Sequence, residues 1–415
     1  MIQPGGLYSA FADTALLDAV RTPWVDCGGA LAQVSPIDLG IKVAREVFAR
    51  AAVDPAAVQC VLAGSMAQAS FDAYMLPRHI GLYSGVPQAV PALAVQRICG
   101  TGFELLRQAG LELAGGAELA LCVAAESMSR NPIAAYTHRQ GFRLGAPVEF
   151  KDFLWEALYD PAPGIDMIST AENLARTYGI SRERVDAFAL ASFERALVAR
   201  ELPWYAEDLV SVVAERFELP GYQARGIELP RGVEAVTADS HPRGTSLESL
   251  ARLRPVHAGG VQTAGNSCAV VDGAAAALVG RESTATRPPL ARLLAVSAVG
   301  VAPEVMGIGP VDAIRLLLSR SGLQLDDIDL FEINEAQGAQ VLAVQQELGI
   351  RDARLNRCGG SIAIGHPLAA TGLRLCMTLA RQLQQGRHHY GVAAACIGGG
   401  QGMAVLLENP QFISR

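Results

Sequence analysis

The sequence predicts an α/β protein made of two related halves with a long insertion between them. Three observations carry this prediction. Apolar strand-like runs alternate with amphipathic helical runs. The alternation recurs about 270 residues further along the chain. A stretch of different composition separates the two occurrences. Nearly continuous apolar strands joined by helices point to parallel sheets covered on both faces, and two such units packed together give a layered architecture.

In the first half, Ser35-Pro36-Ile37-Asp38 opens an amphipathic helix that runs to about Ala52, and an apolar strand follows from Val58 to Ala63. In the second, Gly309-Pro310-Val311-Asp312 opens a helix to about Gly322, followed by a strand from Ile328 to Ile333. Proline fits the first turn of a helix because its missing N–H would have had no partner there. An aspartate in the same turn meets the positive end of the helix dipole. A further pair follows each unit: helix Gly100 to Gly115 with strand Glu118 to Ala124, and helix Gly372 to Gln384 with strand Tyr390 to Ala395, which ends in Cys396. The segment from Asn131 to Val256 is richer in Pro, Arg and aromatic residues. It reads as an insertion of the kind that forms lids or binding loops. The expected division is residues 1–130 plus 257–284 for the first half, 131–256 for an inserted loop domain, and 285–415 for the second half.

Composition bounds the function. Of 415 residues, 50% are hydrophobic and 18% charged, which suits a large buried core and not extended disorder. The 34 basic and 41 acidic residues leave a net charge of -7, so nothing global attracts nucleic acid. The cysteines (Cys27, Cys60, Cys99, Cys122, Cys268, Cys358, Cys376 and Cys396) are scattered, with no Cys-x-x-Cys pair. Neither a metal site nor a disulfide framework is expected, and a reducing, cytoplasmic setting fits. Met1 to Asp18 lacks a basic region followed by an apolar run, so no secretory leader is expected. No apolar run reaches the ~20 residues of a membrane span.

Three segments carry candidate chemistry. In Arg97-Ile98-Cys99-Gly100-Thr101-Gly102, a cysteine precedes a helix, where unpaired backbone N–H groups favour the thiolate and are expected to lower its pKa. A buried apolar cysteine before a glycine-rich helix would look the same. Gly359-Gly360-Ser361-Ile362-Ala363-Ile364-Gly365-His366-Pro367 sets a histidine just before a helix, and Cys396-Ile397-Gly398-Gly399-Gly400 sets a second cysteine at a strand end. Sites in such sheets form outside the carboxyl ends of strands. Three reactive groups at equivalent edges of a duplicated fold outweigh any one of them. Asn334 follows a strand and either caps the next helix or joins the site. Cys60, Cys122 and Cys376 read as core.

These segments resemble the thiolase family, as do Asp18-Ala19-Val20-Arg21-Thr22-Pro23, Ala171-Glu172-Asn173-Leu174, Leu253-Arg254-Pro255, Thr263-Ala264-Gly265-Asn266 and Asn334-Glu335-Ala336. The resemblance implies a duplicated five-layer αβαβα fold with a loop domain inserted in the first half. It implies an acyltransferase of fatty acid metabolism that cleaves 3-ketoacyl-CoA with coenzyme A, reversibly, to acetyl-CoA and a shortened acyl-CoA. Cys99 would be the acyl-carrying nucleophile and His366 the group that takes its proton. Cys396 would be the second acid/base. Asn334, through a water, and His366 would stabilise the enolate oxygen, and the N–H groups of Cys99 and Gly398 would form a second oxyanion hole. Coenzyme A enters as co-substrate, with no tightly bound cofactor and no metal. Met167 would meet its pantetheine arm, Ser249 its adenine end, and Arg243, Arg252 and Arg254 its phosphates. A homodimer or homotetramer is implied. The alternatives are a biosynthetic acetoacetyl-CoA thiolase and a weakly active acyl-CoA binding relative. A decarboxylating ketoacyl synthase is disfavoured, because histidine or asparagine is expected there at the position of Cys396.

Three positions depart from the family pattern. Asp166 in Asp166-Met167-Ile168 stands where short-chain members have histidine. Cys268 stands where a serine contacts the pantetheine arm, and Leu368-Ala369-Ala370 lacks the glycine that often follows leucine. With Asp166 at the pocket and the aromatics from Phe142 to Tyr159 walling an apolar tunnel, a preference for chains longer than acetoacetyl is expected.

Overall fold

The computed structural model describes residues 5–66 and 71–413. The outermost residues of the two expected halves, 1–4 and 414–415, lie outside the described residues. The main strands are β1 (Ala15–Arg21), β2 (Cys60–Gly64), β3 (Ala92–Ala94), β4 (Leu119–Glu126), β5 (Val271–Gly280), β6 (Ala291–Gly300), β7 (Ile328–Ile333), β8 (Tyr390–Ile397) and β9 (Gln401–Glu408). The longer helices are α1 (Pro36–Ala51), α2 (Leu76–Tyr83), α3 (Thr101–Ala114), α4 (Met167–Tyr178), α5 (Arg182–Ala199), α6 (Gly309–Ser321), α7 (Gly338–Leu348) and α8 (Thr371–Gly386).

Hydrogen bonding follows the path β7-β8-β9-β6-β1-β5-β4-β2-β3, so the duplication reads outward from the centre as β1-β5-β4-β2 and β6-β9-β8-β7. The halves join where Leu16 and Ala15 of β1 pair with Ala291 and Arg292 of β6. The expectation of purely parallel sheets is corrected here. β2–β3, β2–β4 and β7–β8 are parallel, whereas β4–β5, β5–β1, β8–β9 and β9–β6 are antiparallel. Only Gly398, Gly399 and Gly400 connect β8 to β9, and so short a link permits a hairpin and no crossover. Strand direction left no trace in the sequence, because a strand buried on both faces is apolar throughout either way.

In β4, for instance, Leu119, Leu121, Val123 and Ala125 face one core, and Ala120, Cys122 and Ala124 face another. The first core lies under α1 and α2, with Ile37, Ile41 and Ile80. The second is central, where Phe103 and Leu106 of α3 meet Leu375 and Leu379 of α8. A third lies under α6 and α7, with Val311, Ile314 and Val341 against Phe331 and Leu406. Helices, sheet, central helix pair, sheet and helices make five layers. The central pair crosses at two glycines. A Cβ on Gly102 would sit 2.5 Å from the backbone N of Leu373, and one on Gly372 would sit 2.6 Å from that of Phe103.

The segment between β4 and β5 contributes α4 and α5, whose Leu174, Ala175 and Val185 pack against Ala339, Leu342 and Ala343 of α7. The segment's aromatics divide, with Tyr159 paired to Asp166 in a short ribbon and others at the surface. Phe142, Phe150 and Trp155 are exposed at 61%, 60% and 54%, and Phe153 stacks on the exposed Tyr136 at 5.8 Å. The stretch around them forms short ribbons, such as Ile133–Ala134 with Lys151–Asp152, that bury little of it.

Candidate active site

Cys99 lies in the single turn Ile98–Gly100 that leads into α3. Ile98 has φ +47°, a conformation a β-branched residue adopts only under constraint. Thr101 supplies the constraint: its hydroxyl donates to the Ile98 carbonyl at 2.7 Å and accepts from the Arg97 N–H at 2.9 Å. Strained backbone thus holds Cys99, a partly exposed residue, at the start of α3.

The second half supplies the other groups, all buried. His366 follows Gly365, whose φ of +103° and close approach to Val271 admit no side chain. The His366 N–H donates to the Ala269 carbonyl at 3.0 Å, and the Cys268 N–H donates to the Ala336 carbonyl at 3.1 Å. These two bonds draw the loops bearing Cys268, His366 and Asn334 together. Asn334 is no helix cap, since α7 begins only at Gly338 and Gln337 occupies its N-cap position.

The side chain of Asn334 instead joins a directed chain of hydrogen bonds. The Ser361 hydroxyl donates to Asn334 Oδ1 at 2.7 Å, and Asn334 Nδ2 lies 3.3 Å from His366 Nε2. His366 Nδ1 lies 2.6 Å from Thr371 Oγ1, which donates to the Pro367 carbonyl at 3.2 Å. A hydroxyl has one proton. Because Thr371 gives its proton to Pro367, it accepts from Nδ1–H, and Nε2 keeps its lone pair. Neighbouring Glu335 braces the assembly, accepting from Ser192 at 2.6 Å and from Asn356 at 2.9 Å.

Electrostatics assigns the resting protonation states. Burial pushes the Cys99 thiol up to about 11, opposed by the backbone N–H groups of Gly398 and of Cys99 itself. The expected lowering by the helix start is therefore corrected: removal from water outweighs the helix field, and the thiol rests protonated. Burial, then the Arg374 charge, lowers His366 to about 3, so the imidazole rests neutral. Cys396 is raised far above the ordinary thiol value by burial and by the proximity of Cys99 and Cys268. Burial and Cys99 likewise push Cys268 up to about 12. Three thiols thus share one site with a neutral base.

The predicted coenzyme A contacts are more dispersed. Met167 begins α4 and packs with Met306, Ala336 and Cys396, its sulfur 3.7 Å from where a Cβ on Gly398 would stand. Arg243 lies over the Phe193 ring at 5.0 Å and contacts His241 Nε2 at 2.9 Å. Ser249 is exposed, its hydroxyl 3.1 Å from that of Ser246. Arg252 pairs with Glu248, and Arg254 is exposed. Arg243 and Arg252 thus engage different partners. Asp166 caps α4, accepting the Ser169 N–H at 2.7 Å, and lies 3.1 Å from His257 Nε2. Burial raises its carboxyl, but hydrogen bonds from Ser169 and His257 prevail and hold it below the usual value.

Sequence reasoning missed Ser361, Thr371, Glu335 and His257. The Thr-Gly pair at 101–102, repeated at 371–372, was a legible signal for Thr371.

Comparison with known proteins identifies the family. The profile described as thiolase, N-terminal domain, matches residues 14–283, and that of the thiolase C-terminal domain matches residues 287–409. The mitochondrial 3-ketoacyl-CoA thiolase of Bos taurus is 38% identical over 400 residues, covering 95% of this chain and 98% of that one. The β-ketothiolase BktB of Cupriavidus necator is 36% identical over 403 residues, covering 95% and 99%. The crystal structure of human mitochondrial 3-ketoacyl-CoA thiolase in complex with CoA superposes with a TM-score of 0.89 at 37% identity, covering 95% and 98%.

Proposed function

The chain belongs to the thiolase family, and from that premise we propose how its own residues cleave a 3-ketoacyl-CoA with coenzyme A to acetyl-CoA and a shortened acyl-CoA. Cys99 Sγ attacks the 3-keto carbon while its proton passes to His366 Nε2, the lone pair that Thr371 and Pro367 leave free. The N–H groups of Cys99 and Gly398 face the sulfur, and they receive the oxyanion of the tetrahedral intermediate. The C2–C3 bond then breaks. The acyl group stays on Cys99, and the acetyl-CoA enolate takes a proton from Cys396. Asn334, through a water, and the newly formed Nε2–H of His366 stabilise the enolate oxygen. Coenzyme A next gives its thiol proton to the Cys396 thiolate and attacks acyl-Cys99, whose sulfur recovers the proton held on His366. Each group returns to its starting form.

The observation that carries this reading is a neutral, oriented His366 whose loop is tied to Ala269, next to the Cys268 that shares one site with Cys99 and Cys396: a base brought to a nucleophile that needs one. The reverse, biosynthetic direction uses the same groups, and a Bacillus anthracis acetyl-CoA acetyltransferase structure superposes with a TM-score of 0.87 at 35% identity. The test is to mix the enzyme with a six-carbon 3-ketoacyl-CoA in the absence of coenzyme A. A stoichiometric release of acetyl-CoA is expected, with a butanoyl thioester on the Cys99 peptide. Acetyl-CoA release with no acyl adduct on Cys99 overturns the assignment.

We further place the protein in the cytoplasm as a homodimer or homotetramer. The cysteines among the described residues are all free. Exposed Tyr74, Met75 and Leu93 lie by α2 and the edge strand β3, an apolar patch of the kind oligomers cover. The division into residues 1–130 plus 257–284, 131–256 and 285–415 is kept as our domain proposal, supported by the matching strand orders of the two halves.

A further inference from the structure

Exposure around Cys99 is one-sided. His366, Asn334 and Cys396 are buried, whereas Cys99, Ile98, Met167, Asp166 and Cys268 are all partly exposed. A thioester that reaches Cys99 must therefore lead its chain out past Met167 and the start of α4. His257 stands at that point, its side chain 40% exposed. It belongs to the loop that runs on through Val261 and Asn266 to Cys268, and Glu172 of α4 fixes that loop by accepting the Val261 and Gln262 N–H groups, each at 2.8 Å.

The ring is oriented from one side only. Nε2 lies 3.1 Å from Asp166 Oδ1 and 3.1 Å from Ser169 Oγ. An ionised carboxylate accepts and cannot donate, and the Asp166 carboxyl is held in that form. The proton of the neutral ring therefore sits on Nε2, shared between Asp166 and Ser169. Nδ1 is then a bare acceptor, with no protein partner among the described residues. Without Asp166 only the Ser169 hydroxyl would hold the ring, and a looser ring loses more rotamer entropy on binding.

We propose that His257, oriented by Asp166 and Ser169, binds the coenzyme A arm by accepting an amide N–H at Nδ1, which makes the Asp166–His257 pair a substrate-binding element of this chain. The inference rests on the thiolase reading for the identity of the arm, a chain with two secondary amides between thiol and phosphates. It gives Asp166 a function: the carboxylate aims an imidazole that comes from elsewhere in the sequence.

The test is calorimetric binding of coenzyme A to the full-length protein, together with steady-state thiolysis. His257→Phe keeps an aromatic ring and removes the acceptor. It is expected to weaken coenzyme A binding about five- to tenfold, the worth of one hydrogen bond, and to raise KM by the same factor with kcat little changed. His257→Gln, which offers an amide oxygen, is expected to restore most of the affinity. With a small thiol without amide groups as acyl acceptor and the 3-ketoacyl-CoA held saturating, the KM for the thiol should not distinguish wild type from His257→Phe. Unchanged coenzyme A affinity in His257→Phe overturns the proposal, and so does an equal rise in the KM of the amide-free thiol at saturating 3-ketoacyl-CoA, which would mark a structural role. Should wild type bind coenzyme A but fail to cleave 3-ketoacyl-CoA, the reaction assignment falls while the affinity ratio still decides the role of His257. Absence of wild-type binding overturns both.

Discussion

Thr371→Val is the sharpest perturbation of the site, because it removes one hydroxyl and leaves the shape of the side chain. In the native chain that hydroxyl accepts the proton of His366 Nδ1 at 2.6 Å and passes its own to Pro367. With valine there, the buried ring has two poor options. It can keep Nδ1–H unpaired, at a cost of about 1–3 kcal/mol. Or it can move the proton to Nε2, where it meets the N–H of Asn334, donor against donor, at 3.3 Å. In the second case Nε2 can no longer take the proton of Cys99, whose pKa of about 11 leaves it protonated at rest. A bias of ~2 kcal/mol toward the wrong tautomer corresponds to roughly a thirtyfold slower acylation. The assay is stopped-flow release of acetyl-CoA from a 3-ketoacyl-CoA in the absence of coenzyme A. Thr371→Ser, which restores the hydroxyl, should recover most of the rate. Burial depresses the His366 pKa to about 3, so the base form persists as pH falls through 6.5, and the wild-type acylation rate should show no acid limb from this histidine near that value. If Thr371→Val acylates as fast as wild type, the tautomer argument is wrong.

Three further outcomes are expected. Gly102→Ala places a methyl 2.5 Å from the backbone N of Leu373; it should lower unfolding stability in urea by about 1–3 kcal/mol, and a neutral effect would mean the central helices separate readily. Cys396→Ser should still form acyl-Cys99 but lose on the order of 10²–10⁴ in turnover, since a hydroxyl is a far weaker acid; near-native turnover would move the acid/base role elsewhere. Cys268→Ser replaces a weak hydrogen-bonding thiol with a hydroxyl and should tighten coenzyme A binding by about 1 kcal/mol, measured by titration calorimetry; weaker binding would show that the thiol is the better-packed group.

The parts of the site that sequence revealed are those the backbone announces. Cys99 and His366 each precede a helix, and Cys396 and Asn334 lie at strand ends, so glycines and apolar runs mark their places. What sequence concealed depends on distance through space. The resting charge of Cys99 is decided by burial, and the local pattern around it shows only the opposing helix field. Asp166 looked like a lost histidine because its partner, His257, lies 91 residues away. Among the aromatics from Phe142 to Tyr159, composition could not show that Phe142, Phe150 and Trp155 would be exposed. Strand direction was hidden by the very feature that made the strands easy to find, their burial on both faces.

The duplication explains why a reactive cysteine and its base stand so well placed although they come from opposite halves. Superposing Thr101-Gly102 on Thr371-Gly372 sets Cys99 against Ala369. Likewise Glu126 pairs across its ladder with Gly273 as Cys396 pairs with Gly402, which makes Glu126 the counterpart of Cys396. The counterpart positions hold no thiol and have become a clamp: Glu126 accepts the N–H of Ala369 at 3.1 Å, that of Met66 at 3.0 Å and the hydroxyl of Ser65 at 3.1 Å. Each threonine keeps one job in both halves, tying down the residues just before its helix, and in the second half it also holds the base. Between them the two helix starts touch backbone to backbone at Gly102 and Gly372. The spacing of Cys99 from His366 therefore depends on main-chain contact, which cannot relax by a rotamer change, and side-chain repacking elsewhere in the core leaves it in place. One end of a repeated unit is free to carry the chemistry because the other holds the frame still.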